Sequence, residues 1–373
     1  MTATIPLPAR NCDCSVCPFS VDNPSAVEPI CSGCSGCDYC NCARNADGMG
    51  GADACSGCNV QCGSRVDIAA WMLSVGSTLT FDDVGSTTIA TPGLPSYLPV
   101  VDGDDMTAFH GVARHPAIGV GLRRIFSKFS FTMQNRWAER GAHACLGLDD
   151  DQLAVLVGSG ADPLVEAFWE NRKVDRLIET IAEQRWDLVL TPNPSVYLNQ
   201  PRATHLLSLR RTILLASEMA DAGINAAPNL YWARLEDLDR WAVWIVETDA
   251  KVLFVNAQTD RTDYDWNNLV MAGVTYLSQI LDEQQMDTKV IVVGPSLPAR
   301  VGQLVDVLGD RLCLANSDAL LLARRGKVIN PVSGKPESVG CLPPDAWQRN
   351  LAYYNRLTTT PQSVPARAAV DGA

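Results

Sequence analysis

From Leu153 onward the chain alternates short, almost wholly apolar runs with amphipathic stretches, and this alternation restricts the available folds more than any other feature. The runs are "LAVLVGSG" (153–160), "WDLVLTPNPS" (186–195), "INAAPNLYW" (224–232), "KVLFVNAQT" (251–259), "KVIVVGPS" (289–296) and "RLCLANSDA" (311–319), with an earlier one in "SYLPVVDG" (96–103). Helical patterning fills the gaps at 171–184, 202–222, 235–244, 266–284 and 299–308. Gly223 follows the second of these, where a left-handed helix end wants glycine. A strand covered on both faces reads as a continuous apolar run, and such runs separated by helices imply βαβ units and a parallel sheet. No glycine-rich phosphate turn follows the first run, which favours a barrel over a doubly wound sheet. The expected fold class is therefore α/β: a barrel-like, TIM-like parallel β/α domain, closed or incomplete.

The first 66 residues follow other rules. Eleven of the 14 cysteines lie there, at Cys12, Cys14, Cys17, Cys31, Cys34, Cys37, Cys40, Cys42, Cys55, Cys58 and Cys62. Phe19 and Tyr39 are the segment's only aromatics, so it has little apolar surface to offset the entropy of ordering. Repeated C-x2-C units gather thiolates around a metal. The triplet Cys31, Cys34, Cys37 has ferredoxin-type spacing and Cys17-Pro18 supplies a Cys-Pro, although ferredoxins place Cys-Pro after the triplet. Six acidic residues against the single base Arg44 between 12 and 62 would repel phosphate. That balance favours one or two 4Fe-4S clusters over structural zinc, the alternative, and over disulfides. The expected organisation is a cysteine-rich module (1–66), a barrel domain (67–335) and a partly disordered C-terminal extension (336–373).

The apolar runs end in small polar residues: Asn193 and Ser195, Asn229, Asn256, Ser296, and Asn316 followed by Asp318. In a parallel barrel these ends converge on one face, where amides and hydroxyls suit a neutral, polar small molecule or nucleotide. Turn and cap propensity explains any one of them equally well; it is the recurrence that points to a binding mouth. Asp260 and Asp318 are the acids placed to serve as general base or nucleophile, with helix capping as the competing reading.

Other chemistries find no footing. The 4 histidines form no i, i+4 pair, and no GxSxG, GxGxxG or Walker sequence sits at a strand end. A net charge of −12 disfavours a general nucleic-acid or anionic-membrane surface. The segment 121–140 interleaves Arg123, Arg124, Lys128, Arg136 and Arg140 with Phe126, Phe129, Phe131 and Trp137. It could grip a nucleic-acid strand, but an amphipathic helix packing its aromatics on the barrel accounts for it better. The N-terminus lacks a leader pattern and no run of eighteen apolar residues occurs, so a cytoplasmic, membrane-free protein with reduced thiols is expected.

Three stretches carry a resemblance: "LTPNPSVYLNQP" (190–201), "RRTILLASEMADAGINAAPNLYW" (210–232) and "VIVVGPS" (290–296). From about 153 to 326 the chain resembles the bacterial and phage family known as domain of unknown function 4417. Pro194, Ser195 and Tyr197, then Arg210 or Arg211, then Pro228 and Trp232, occupy that family's pattern positions; Asn193 stands where its turn has an acid. The resemblance implies a barrel-like α/β fold and no particular activity. A weaker likeness in fold is to the tRNA-guanine transglycosylase barrels, whose zinc cysteines follow the barrel core instead of preceding it. The sequence thus implies an iron-sulfur protein with a ligand-binding barrel and an electron-transfer partner. The alternatives are a zinc-stabilised nucleic-acid or base-modifying protein, or a binding protein without catalysis.

Overall fold

The computed structural model describes residues 23–25, 68–87, 93–104, 106–127, 132–196, 202–258 and 262–359. Cys12, Cys14, Cys17, Cys31, Cys34, Cys37, Cys40, Cys42, Cys55, Cys58, Cys62 and Asp260 lie outside the described residues. The chain divides into two compact units. One draws on Met1–Val84, Pro194–Leu214 and Tyr231–Arg240, the other on Gly85–Asn193, Leu215–Leu230 and Trp241–Ala373.

The larger unit is a parallel β/α barrel. Its strands are β1 (Tyr97–Val101), β2 (Ala117–Gly121), β3 (Leu153–Val157), β4 (Leu188–Leu190), β5 (Ala226–Ala227), β6 (Asn229–Leu230), β7 (Val252–Asn256), β8 (Lys289–Val293) and β9 (Leu312–Asn316). The pairing order is β5-β4-β3-β2-β1-β9-β8-β7-β6, parallel throughout. Its two ends, β5 and β6, are halves of one extended segment separated only by Pro228, which has no N–H to give the ladder. Ala226 and Ala227 pair with β4, Asn229 and Leu230 pair with β7, and Phe254 N donates to Pro228 O at 3.1 Å, so the ring closes through this segment. One circuit of the registers slips by about eight residues, the shear of an eight-stranded barrel.

The interior is filled by alternate residues of the strands: Leu98, Ala117, Val155, Val157, Leu188, Leu190, Ala227, Val252, Phe254, Ile291, Val293, Cys313 and Ala315. β2, in "HPAIGVG", is absent from the run-and-helix pattern of the sequence, and the reason is steric. A Cβ at Gly119 would stand 3.3 Å from a methyl of Val100 and 3.3 Å from one of Val157. That inward position favours the smallest side chain, and the substitution of glycine for valine or isoleucine thins the apolar signal.

The helices refine the sequence expectations. The stretch read as 171–184 is helical only at Leu177–Glu183, which follows Arg176 at φ +51°; a further helix, Asp162–Asn171, precedes it. Arg202–Asp221 ends as expected at Gly223, φ +79°, with Ile224 N bonded to Met219 O at 2.9 Å. The 266–284 helix contains a π segment, Trp266–Met271, before Ala272–Glu283. Pro343–Thr359, which the sequence set apart in the C-terminal extension, is a helix that buries Trp347, Leu351, Tyr353, Tyr354 and Leu357. Tyr354 stacks on Tyr97 of β1 with ring centroids 4.6 Å apart, and Trp347 Nε1 donates to Ala113 O at 3.1 Å. The compact barrel unit thus extends past residue 335. No helix among the described residues is long and apolar enough to cross a membrane.

In the smaller unit, helix Ile68–Ser74 leads into a loop that Arg210 gathers. Its guanidinium donates to Val75 O at 3.1 Å, to Thr80 O at 2.8 Å and, in a fork, to both Asp83 carboxylate oxygens at 2.6 Å. The Arg211 guanidinium lies over the Trp71 ring, 5.3 Å from its centroid.

Candidate binding site at the barrel mouth

In a parallel sheet, residues in register on neighbouring strands point the same way, and the side-chain period is two. Asn229 is in register with Phe254 and lies two residues past Ala227, both interior, so its side chain points into the barrel. Asn256, two residues past Phe254, shares that direction. The two amides form a polar upper edge, on neighbouring strands, above the apolar interior group.

Asn229 is fully buried, and neither its Oδ1 nor its Nδ2 has a hydrogen-bond partner. Thr191 Oγ1 bonds the backbone of Asn229, accepting from its N at 3.3 Å, and not its side-chain amide. A buried amide left unpaired costs about 1–3 kcal/mol, which native proteins rarely tolerate without a reason. Asn256 Oδ1 accepts from Gln258 N at 3.2 Å in an Asx turn, so the oxygen is engaged locally. Asn193 Oδ1 accepts from Gly160 N at 3.3 Å, tying the ends of β3 and β4 together. The same two ends touch at Gly158, where a Cβ would come within 2.3 Å of Leu190 O. Gly294, after β8, holds φ +119°, and a Cβ there would meet the Gln258 backbone at 2.9 Å. Glycine is required at both places for the strand ends to approach.

The remaining sequence-derived positions are placed differently. Asn316 alternates with interior Ala315 and so faces outward; it accepts from Tyr97 Oη at 3.0 Å and donates to Pro295 O at 2.9 Å. Its Oδ1 also accepts from the N–H of Asp318, at 3.2 Å. Asp318 begins helix Asp318–Arg324, and its carboxylate accepts the Tyr354 hydroxyl at 3.3 Å, so it is directed to the C-terminal helix. Burial, reinforced by the charge of Asp318, holds the Tyr97 phenol far above its usual range, and Tyr354 is raised for the same first reason. Both stay protonated donors. Ser296 is half-buried after β8, and Ser195, also half-buried, belongs to the smaller unit.

The described parts of segment 121–140 hold a single 3-10 turn, Leu122–Arg124, and a short helix, Asn135–Arg140, instead of one amphipathic helix. Phe126 and Trp137 are buried, unavailable for stacking on bases. Arg124 pairs with Asp102, Arg136 with Asp104 at 3.6 Å, and Arg324 with Asp102 at 2.9 Å and Asp104 at 2.8 Å. This ion-pair cluster at the end of β1 escaped the sequence reading; "VVDGDD", an apolar run ending in acids, was its only signal. Lys128, Phe129 and Phe131 lie outside the described residues. Of the described cysteines, Cys145 and Cys313 are buried free thiols; burial raises the first and pushes Cys313 up to about 12, which makes both poor nucleophiles and ligands. Among the described residues, no three His, Cys, Asp or Glu side chains come together as metal ligands would.

No family model matches the sequence, and no curated protein matches it. Solved structures similar in fold include a protein described as native KDPGal, 13% identical, covering 71% of this chain and 95% of its own at TM-score 0.37. Another is a 4-hydroxy-2-oxoglutarate aldolase/2-deydro-3-deoxyphosphogluconate aldolase from TTHB1, 9% identical over 71% of this chain and 95% of its own, TM-score 0.36. A third is a variant flavocytochrome b2 with sulfite bound, 11% identical over 75% of this chain and 70% of its own, TM-score 0.39. The fold assignment rests on the strand order and registers, and these likenesses say nothing about chemistry here.

Proposed function

We propose that this protein binds a small, neutral, polar molecule at the C-terminal mouth of its barrel and that its N-terminal cysteines hold iron-sulfur clusters. The observation that carries the first half is Asn229: a buried amide without a partner, directed into the barrel where ligands bind in this architecture. Neutrality follows from the surroundings. The interior group is apolar, and a charged ligand would lose hydration against it. The second half is supported by cysteine spacing and by the acidic composition between the cysteines. Such a module would relay electrons to a redox partner or to the ligand site, or hold the N-terminal segment together. Such a protein would be a redox or ligand-binding barrel protein, with cytoplasmic residence expected of its reduced thiols.

Two measurements test the two halves separately. Anaerobically purified protein is expected to be brown, with iron and acid-labile sulfide and a broad visible absorption that bleaches on reduction. Colourless protein with stoichiometric zinc, or cysteines joined as disulfides, would overturn the iron assignment. A thermal-shift screen of small neutral molecules and charged analogues is expected to return stabilisation by neutral compounds only. Stabilisation confined to anions would overturn the mouth assignment.

A further inference from the structure

We infer that Asn229 reads an amide: the ligand of the mouth carries a hydrogen-bond donor and an acceptor side by side on one flat group, as a ring lactam or a primary carboxamide does. This rests on the ligand-binding reading above and adds the chemical class. The Asn229 amide presents its acceptor and its donor in one plane, and both are unused. Its side chain has no accessible surface, so a ligand that bonds it must displace what covers it. A hydroxyl would satisfy one of the two atoms and leave the other unpaired. A planar amide satisfies both at once in the same plane. The neighbouring Asn256, whose Oδ1 is held by Gln258, has only its NH2 to offer, an additional donor for a second carbonyl. Strands adjacent in the barrel therefore offer the pattern acceptor, donor, donor to a flat, uncharged, amide-bearing ligand.

The test is calorimetric titration of the full-length, metal-loaded protein. Uracil and hypoxanthine serve as ring lactams, nicotinamide and benzamide as primary amides, and benzoate and ribose as controls without an amide. At least one amide class is expected to bind, and the controls are not; which class binds identifies the source of the chemistry. Asn229→Leu and Asn229→Met, which remove both the acceptor and the donor, are expected to weaken that binding at least about tenfold, because a site built to pair a polar edge is left unmatched. Circular dichroism of both variants guards against loss of fold. Equal binding by wild type and both variants would overturn the role of Asn229. Binding of ribose alone would overturn the amide class while leaving the mouth as a ligand site, and no binding by any probe, with an empty thermal-shift screen, would remove both.

Discussion

Arg210→Ala is expected to destabilise the protein by about 3 kcal/mol, while Asp83→Asn costs under about 1 kcal/mol, although the two side chains form a forked ion pair. The asymmetry follows from exposure. Asp83 is 56% exposed on its side chain and can return to water, even though the hydrogen bond from Arg210 holds its carboxyl below the usual range. Arg210 is 1% exposed, and its removal leaves the carbonyls of Val75 and Thr80 without their donor and opens a space inside the smaller unit. Urea unfolding of the two variants measures the difference directly. Equal costs would mean that the ion pair, not the gathering of the loop, is what matters. Arg210→Lys should recover little, since one ammonium cannot reach four acceptor oxygens arranged around a planar fork.

The second large effect is acid sensitivity through His115. This residue precedes β2, is 2% exposed, and its Nδ1 lies 2.7 Å from Ala117 O. Burial drives its pKa down from 6.5 to about 4, a shift opposed by the Ala117 contact and by Asn355 and assisted by His110. The folded protein therefore resists the proton that the unfolded chain accepts. Above pH 6.5 both states are neutral at this site and stability is unaffected. As the pH falls from 6.5 towards about 4 the unfolded chain binds a proton and the folded one does not, so stability drops steadily through that window. The full effect is about 3 kcal/mol. His115→Asn, which keeps a polar atom near Ala117, should lose most of this dependence. Unfolding midpoints of both proteins between about pH 7 and pH 4.5 separate this site from the carboxylates, which titrate alike in the two. Parallel pH profiles would show that His115 is not the sensor.

How much of this could be read beforehand depended on whether a residue's role was local or made by closure. The strands at 153, 188, 252, 289 and 312 announce themselves because burial on both faces leaves continuous Val, Ile and Leu. β2 does not, because its interior place demands Gly119, and the helix 343–359 does not, because its aromatic stripe is diluted by Gln, Arg and Asn on the outer face. Closure at Pro228 is invisible in sequence, since it depends on a strand that serves β4 with one half and β7 with the other. The same distinction governs the site. The recurrence of amides at the run ends pointed to Asn229, Asn256 and Asn316 alike, and only the pleat divides them. Asn229 and Asn256 fall on the inner face, while Asn316, one residue past interior Ala315, falls on the outer face and bonds Tyr97. Asp318 likewise sits at a strand end by sequence, yet its carboxylate meets Tyr354.

If Asn229 is kept buried and unpaired because a ligand needs it, the unfolding free energy of Asn229→Leu reveals it. Measured without ligand, the variant should be more stable than wild type by about 1–3 kcal/mol, since leucine of similar volume removes an unpaired amide from an apolar interior. An amide probe that stabilises wild type should then leave the variant unmoved. A variant less stable than wild type, and still stabilised by the probe, would mean that Asn229 serves the fold and not a ligand.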